Sequence, residues 1–204
     1  MQKIVIIGAA GRMGQALIRC ASGMPGLAVV GAVDQAGCPA IGLDAGRVAG
    51  IADIGVPITT DVAAAAAAGN VLIDFSVREA VPATARIAAR LRKGLVLGTT
   101  GLKDDERKAL LSAARSVPVV WAPNMSVGMN LLFALVKRAG AVLGLAYDVE
   151  IVEVHHKHKK DAPSGSALRL GAEVAAGRGQ DFKRVAIHGR SGITGERPAG
   201  QIGI

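Results

Sequence analysis

The sequence predicts an α/β fold, a doubly wound parallel sheet with a smaller α+β unit after it. Three observations predict it. Short apolar runs alternate with helix-like segments over residues 1–120. A glycine-rich turn, Gly8–Gly14, follows the first run and opens the first helix-like segment. The composition is 50% hydrophobic yet only 2% aromatic, with 27 Gly. A core of Ala, Val, Leu and Ile, with glycine between, suits helices lying close on a sheet buried on both faces.

The strands come first. Lys3–Ile7, Leu27–Val33, Val71–Asp74, Leu95–Leu97 and Val117–Trp121 are β-branched or Leu-rich runs bounded by Gly, Pro or Asp. Near-continuous apolar runs of this length mark strands covered on both sides. Helices are expected between them at Met13–Ser22, Val62–Ala68, Glu79–Arg90 and Asp104–Ala114. The last opens on Asp104, Asp105 and Glu106, as the helix dipole favours. Ala63–Ala68 is low in complexity and reads as a short exposed helix without chemistry. Gln35–Gly55 lacks a period and reads as a long loop, either functional or mobile.

The pattern changes after Trp121, where Pro123 and Asn124 interrupt it. Val127–Leu143 reads as an apolar helix with Ser126 as its N-cap. Tyr147–His155 reads as a strand, Ser164–Ala175 as a helix and Arg184–Ile187 as another strand. Gly189–Gly200 is a Gly/Pro-rich loop, and Gln201–Ile204 opens a further strand. Two domains are therefore expected, 1–122 and 123–204. A strand with no turn or partner after it is an odd natural terminus, so the second domain is expected to lack its C-terminal part.

The net charge is +8, from 24 basic and 16 acidic residues. Residues 1–150 carry 15 basic and 11 acidic side chains, and residues 151–204 carry 9 and 5, plus all four His. The charge fits either a solvated basic surface or an anionic partner, and its density in the last quarter points to a local anion site. The scarcity of aromatics argues against base stacking, so no nucleic-acid partner is expected. Cys20 and Cys38 make neither a disulfide framework nor a CxxC pair. The N-terminal apolar run has no cleavage site after it and reads as a strand. No apolar run reaches the roughly 18 residues of a membrane span. A soluble, cytoplasmic protein without a membrane partner is expected.

Gly8-Ala9-Ala10-Gly11-Arg12-Met13-Gly14 lies between a strand and a helix. Its GxxGxxG spacing is a variant of the dinucleotide fingerprint. Gly8 permits the tight turn, Gly11 lets backbone approach a pyrophosphate, and Gly14 lets the helix pack on the sheet. The helix start offers free N–H groups and a positive dipole end. Asp34, twenty residues after Gly14 at the end of the second strand, is placed to accept from an adenosine ribose. Together these make the first domain Rossmann-like. Arg12 could pair with a 2′-phosphate, whereas Gln35 adds no positive charge. Both NADH and NADPH are expected to work, with NADH preferred. Gly98-Thr99-Thr100-Gly101 and Ala122-Pro123-Asn124-Met125 follow the carboxyl ends of two strands, the edge where ligands bind in open α/β sheets. They are expected to meet the nicotinamide ribose and carboxamide.

The segment 153–168 is the richest in chemistry. His155, His156, Lys157, His158, Lys159 and Lys160 precede Asp161-Ala162-Pro163, and Ser164-Gly165-Ser166 opens a helix. Helix-start amides facing several cations make an anion site. Lys and His are both proton donors near neutral pH when their surroundings tune them. Two other readings stay open, a zinc site and a solvated charge run. Adjacent His residues point apart, and no HExxH-type spacing supports the metal. No metal is expected.

These residues resemble one family. GAAGRMG at 8–14, DFS at 74–76, GTTG at 98–101, APNMSVGMN at 122–130, EVHHKHKKDAPSGSAL at 153–168 and GERPAGQIGI at 195–204 are similar to the 4-hydroxy-tetrahydrodipicolinate reductases. The resemblance runs in order along the whole chain. It implies a Rossmann domain and a substrate-binding domain whose sheet builds a homotetramer, acting in diaminopimelate and lysine biosynthesis. It implies His155 as proton donor and acceptor and Lys159 as proton donor. His156, Gly165 and Ser166 would hold a small dicarboxylate. Gly8, Ala9, Ala10, Gly11, Arg12, Met13, Asp34, Gly98, Thr99, Thr100, Ala122, Pro123, Asn124 and Met125 would hold NADH or NADPH. Three departures stand out. Gln35 replaces an Arg found in some members, Ser166 replaces the more usual Thr, and the family continues beyond Ile204. Two other functions remain open, another two-domain Rossmann dehydrogenase of amino-acid metabolism and a nucleotide-sensing module without chemistry.

Overall fold

The structure, a computed structural model, describes residues 1–157, 159 and 162–204. His158, Lys160 and Asp161 of the basic segment lie outside the described residues. The chain divides into two compact units, Met1–Ala122 and Pro123–Ile204.

The first unit holds six strands: β1 (Gln2–Ile7), β2 (Leu27–Val33), β3 (Ile58–Thr59), β4 (Val71–Asp74), β5 (Gly94–Leu97) and β6 (Val119–Trp121). They form one parallel sheet in the order β3-β2-β1-β4-β5-β6. Five helices connect or flank them: α1 (Arg12–Ser22), α2 (Ala45–Val48), α3 (Val62–Ala68), α4 (Val81–Arg90) and α5 (Asp104–Ala113). Successive side chains of a strand point to opposite faces. Val5 and Ile7 of β1 therefore pack with Ala65, Val81, Ala85, Ala88 and Leu110 on one face. Ile4 and Ile6 pack with Ile18, Ala21, Ala45 and Ala49 on the other. Ile4–Ile7 of β1 are dry on both faces, which explains their unbroken apolar sequence, while Gln2 and Lys3 are exposed. The strand order reverses between β1 and β4, whose ends are in register at Ile7 and Asp74. Residues 8 and 75 thus start from the same sheet edge.

Two boundaries shift at prolines. β6 begins at Val119 because Pro118 has no N–H for the ladder. The expected helix Glu79–Arg90 is a 3₁₀ turn, Arg78–Ala80, followed by α4 with Pro82 in its first turn. The expected loop Gln35–Gly55 contains α2, organised by one carboxylate. Asp44 accepts the N–H groups of Gly46, Arg47, Ile54, Gly55 and Val56 at 2.8–3.3 Å. The Ile54 N–H leads the bonds that hold its carboxyl below the ordinary range. Tertiary satisfaction of this kind leaves no period in a sequence.

The second unit holds α6 (Val127–Leu143), β7 (Val149–Glu150), α7 (Gly165–Gly177), α8 (Phe182–Val185), β8 (Ala186–Ile187) and β9 (Ile202–Gly203). The strands form a parallel sheet in the order β7-β9-β8. Val174, Ala175 and Ile202 are its buried centre. Ser126 caps α6 as expected, accepting the Met129 N–H at 3.4 Å. The expected strand Tyr147–His155 is reduced to β7, because β9 offers only two residues to pair with. The expected strand Arg184–Ile187 is corrected to α8 followed by β8. Asp181 starts α8 by accepting the Lys183 N–H at 3.1 Å.

Helix α6 and the turn after it, Val127–Ala146, make 20 residues of mean hydropathy 1.5. That stretch is long and apolar enough to cross a membrane by length and composition, although Lys137 and Arg138 interrupt its apolar run. It packs on α7 at Gly140, where an added Cβ would lie 2.8 Å from the Val174 carbonyl oxygen. Val127, Leu131, Leu135 and Val142 remain exposed among the described residues.

Candidate functional site

Each unit carries its own cluster of chemistry. In the first, a cleft of about 460 Å³ is lined by Gly8, Gly11, Asp34, Gln35, Phe75 and Ser76, among others. The glycine turn is anchored to β2, since the N–H groups of Gly8 and Ala9 both reach the Val33 carbonyl, at 2.9 and 3.0 Å. Gly8 has φ +79, and a Cβ there would meet Ser76 Cα at 3.1 Å. A Cβ on Gly14 would lie 2.2 Å from the Gly8 oxygen and 2.6 Å from Ala9 Cα. The helix therefore sits directly against the turn. Gly11, the N-cap of α1, supplies no capping side chain. The first amides of a helix have no partner within it, so they are available to an anion at this end.

Asp34 does more than face the cleft. Its Oδ2 accepts the Ala10 N–H at 2.8 Å, and its Oδ1 accepts the Gln35 N–H at 2.8 Å. It holds the glycine turn in place and keeps lone pairs for sugar hydroxyls. Arg12 and Met13, the first residues of α1, are exposed.

The Gly98–Gly101 turn lies against the loop after β4. Gly98 donates its N–H to the Asp74 carbonyl at 2.9 Å. The Thr99 hydroxyl reaches the Ser76 carbonyl at 3.3 Å, and Trp121 Nε1 donates to the Thr99 carbonyl at 3.2 Å. Thr100 is the exposed hydroxyl of the pair. Ala122 closes this edge with its N–H on the Leu97 carbonyl at 3.4 Å.

Sequence reasoning gave no role to Asp74, and the structure makes it central to this edge. It is fully buried. Its Oδ1 accepts the Ser76 N–H at 2.9 Å and the Ser76 hydroxyl at 2.6 Å. Phe75, between them, fills the space that a Cβ on Gly98 would need. An acid ending an apolar strand was the available signal. Burial pushes the Asp74 carboxyl above its ordinary range, against hydrogen bonds from Ser76 and Thr84. An acid with a raised folded pKa contributes its full stability below the unfolded value, near pH 4, and loses it as pH rises through the folded value. Asp74→Asn never ionises, so its stability relative to the parent improves as pH rises from about 4 to the folded value and is level above it. Urea unfolding at several pH values checks this, and a difference independent of pH contradicts it.

In the second unit, the strand ends at Glu150, so His155 lies beyond it and not at the end of the expected strand Tyr147–His155. A carboxylate organises the segment instead. Glu153 Oε2 lies 2.9 Å from His155 Nε2, and Oε1 accepts the Ser164 N–H at 2.7 Å. Hydrogen bonds from Ser164, then from His155, hold the Glu153 carboxyl down at about 2. His156 is exposed, and the half-buried Lys159 donates its N–H to the His156 carbonyl at 3.2 Å. Ser164 caps α7, its Oγ accepting the Ala167 N–H at 3.1 Å. Gly165 and Ser166 then supply the next amides of the helix start, which have no partner within the helix and are the kind of groups an anion can meet. Among the described residues, no three His, Cys, Asp or Glu side chains converge as metal ligands.

The Pro123–Met125 segment falls in the second unit. Asn124 Nδ2 donates to Ser166 Oγ at 3.3 Å, while its Oδ1 accepts the Ser126 N–H at 2.9 Å. A residue expected beside the cofactor thus touches the start of α7, 42 positions along the chain. Beyond it, Arg190 and Arg197 both bind Glu150 Oε1, Arg197 at 2.6 Å. Arg197 also donates to the carbonyls of Val149 and Gln201 at 2.6 and 2.7 Å, tying down the Gly195–Gly200 loop. The sequence reading gave this cluster no role, although Arg197 lies within the 195–204 motif.

A parallel sheet ordered 3-2-1-4-5-6, with a glycine turn at the reversal and an acid just after β2, defines a dinucleotide-binding domain. The model of the dihydrodipicolinate reductase N-terminus matches residues 2–125, and that of its C-terminus matches residues 128–204. The chain belongs to the dihydrodipicolinate reductase family. It is 52% identical over 204 residues to the 4-hydroxy-tetrahydrodipicolinate reductase of Anaeromyxobacter dehalogenans strain 2CP-1, covering all of this chain and 76% of that one. It is 48% identical over 201 residues to the enzyme of the same name from Halorhodospira halophila, covering 98% and 75%. A dipicolinate-bound dihydrodipicolinate reductase from Paenisporosarcina sp. TG-14 shares the fold. It has a TM-score of 0.65 and 22% identity, over 87% of this chain and 67% of that one.

Proposed function

We propose that this chain reduces 4-hydroxy-tetrahydrodipicolinate to tetrahydrodipicolinate, a step of diaminopimelate and lysine biosynthesis, with NADH or NADPH as reductant. The observation that carries the reading is identity of 52% along the whole chain to a reductase of that name. The reaction takes up one hydride and one proton and releases the 4-hydroxyl as water.

Residues 1–122 form the dinucleotide-binding domain, and 123–204 the part of the substrate-binding and tetramerisation domain present here. The cleft at Gly8–Gly14 fits a dinucleotide, because the space that a Cβ on Gly14 would need is already filled by turn backbone, while the α1 amides face outward from it. Gly8 to Met13 hold the phosphates, and Asp34 the adenosine ribose. The turn Gly98–Thr100 and Ala122–Met125 hold the nicotinamide end. When bound, the dinucleotide supplies the hydride. His155 holds the proton delivered as charge develops. Lys159 acts beside it as a proton donor, with His156, Gly165 and Ser166 neutralising the substrate carboxylates. The protein works in the cytoplasm, and the complete chain is a homotetramer.

The test is oxidation of NADH and of NADPH by the complete protein, supplied with fresh product of the preceding synthase. Turnover with both, at higher affinity for NADH, is expected, since Gln35 offers no charge to a 2′-phosphate. Tight NADH binding without turnover would leave a nucleotide-sensing module. Turnover only with an amino-acid semialdehyde would leave another dehydrogenase of this fold.

A further inference from the structure

Glu153 holds the two working parts of the second unit in register. Its carboxylate touches His155 through Oε2 at 2.9 Å and the Ser164 N–H through Oε1 at 2.7 Å. Glu153 and His155 meet two positions apart in the irregular segment after β7. Ser164 is eleven positions further on and is the N-cap of α7. One carboxylate therefore joins the imidazole to the helix start where Gly165 and Ser166 lie. The two bonds use one oxygen each, so neither competes with the other.

The chemistry of the imidazole follows from this contact. An ionised carboxylate accepts hydrogen bonds and donates none. With Nε2 facing it, the proton of a neutral His155 sits on Nε2, and Nδ1 becomes the atom that exchanges a proton with substrate.

We propose that Glu153 is a positioning residue of the reductase: it fixes the Nε2–H tautomer of His155 and sets the distance from that ring to the carboxylate-binding start of α7. The proposal rests on the assignment of His155 as proton donor, and the experiment separates the two. The first readout needs no variant. In ¹⁵N spectra of the wild-type protein above the His155 titration, Nε2 should carry the proton. A neutral ring protonated at Nδ1 overturns the proposal.

The second readout is Glu153→Gln. Its amide oxygen can still accept the Ser164 N–H, while its NH₂ faces the ring and demands an acceptor there. The tautomer should reverse to Nδ1–H. Turnover should fall by at least about tenfold, within the range that general acid catalysis supplies. Substrate KM should change by no more than about threefold, because the α7 start is still held. Glu153→Ala releases both contacts and should raise KM as well as lower kcat. Rescue of turnover by Glu153→Asp would support the carboxylate role. Wild-type kcat and an unchanged tautomer in Glu153→Gln overturn it. If His155→Ala keeps wild-type turnover while the tautomer still reverses in Glu153→Gln, the assignment of His155 fails and the positioning by Glu153 stands.

Discussion

Replacing His155 with Ala should lower kcat by about two to three orders of magnitude, the usual contribution of a positioned general acid. NADH affinity should stay within about twofold. The separation follows from where the parts lie. Every residue lining the cleft at the glycine turn belongs to the first unit. His155 belongs to the second, and its side chain, 39% exposed, binds Glu153. Its loss leaves the glycine-turn cleft untouched and leaves the Ser164 N–H on Glu153. Lys159→Ala should lower kcat similarly and raise KM further, because a cation near the dicarboxylate is lost along with a donor. Stopped-flow turnover beside NADH fluorescence titration checks both. If either variant loses NADH affinity in step with kcat, the side chain acts on the cofactor, and its assignment to proton transfer falls.

The contrast between the units also shows what a sequence can reveal. Leu27–Val33 and Val71–Asp74 were legible to the residue, because strands covered on both faces are near-continuous apolar runs, the second closed by Asp74. The glycine turn was legible because its chemistry is local: Gly8, Gly11 and Gly14 lie within seven positions. β7 was not legible at its true length. Val149–Ile151 and Val152–Val154 look equally strand-like, yet Val152 and Val154 are exposed because β9 pairs with only two residues of β7. The extent of a ladder belongs to the partner as much as to the strand. α2 was hidden for a related reason, since its cap, Asp44, takes N–H groups ten to twelve positions away.

The site divides along the same line. His155, Lys159 and the Ser164–Ser166 helix start announced themselves by residue type. Their supports did not. Glu153 reads as an ordinary surface acid until Ser164 is folded back onto it. Asp74 reads as the end of a strand until Ser76 and Thr84 surround it. Asn124 reads as a cofactor-side residue after β6, and only the fold brings it to Ser166. Residues that perform chemistry are typical in kind, whereas residues that hold them are defined by contacts at long range.

Gly14→Ala should weaken NADH binding by about tenfold to a hundredfold, with a modest loss of thermal stability. The added Cβ would stand 2.2 Å from the Gly8 oxygen, 2.6 Å from Ala9 Cα and 2.7 Å from the Ala9 oxygen. All three are backbone atoms, so no rotamer change relieves the overlap. Overpacking of this kind costs about 1–3 kcal/mol, and each 1.4 kcal/mol or so is tenfold in affinity. The strain has two outlets. α1 can move off the sheet, which exposes Ile18 and Ala21, both buried in the core beneath it. Alternatively, the turn can move, which breaks the bonds of Gly8 and Ala9 to Val33 and of Ala10 to Asp34. The second outlet disturbs fewer buried atoms, and it displaces the groups assigned to the dinucleotide phosphates and ribose. The cost therefore falls mainly on cofactor affinity. Calorimetric titration with NADH, beside the melting temperature of the free protein, distinguishes the outlets. Unchanged affinity with a large drop in Tm would show that α1 moves and the turn stays rigid. Unchanged values of both would show that α1 does not press on the turn, which would remove the main structural support for a dinucleotide at this edge.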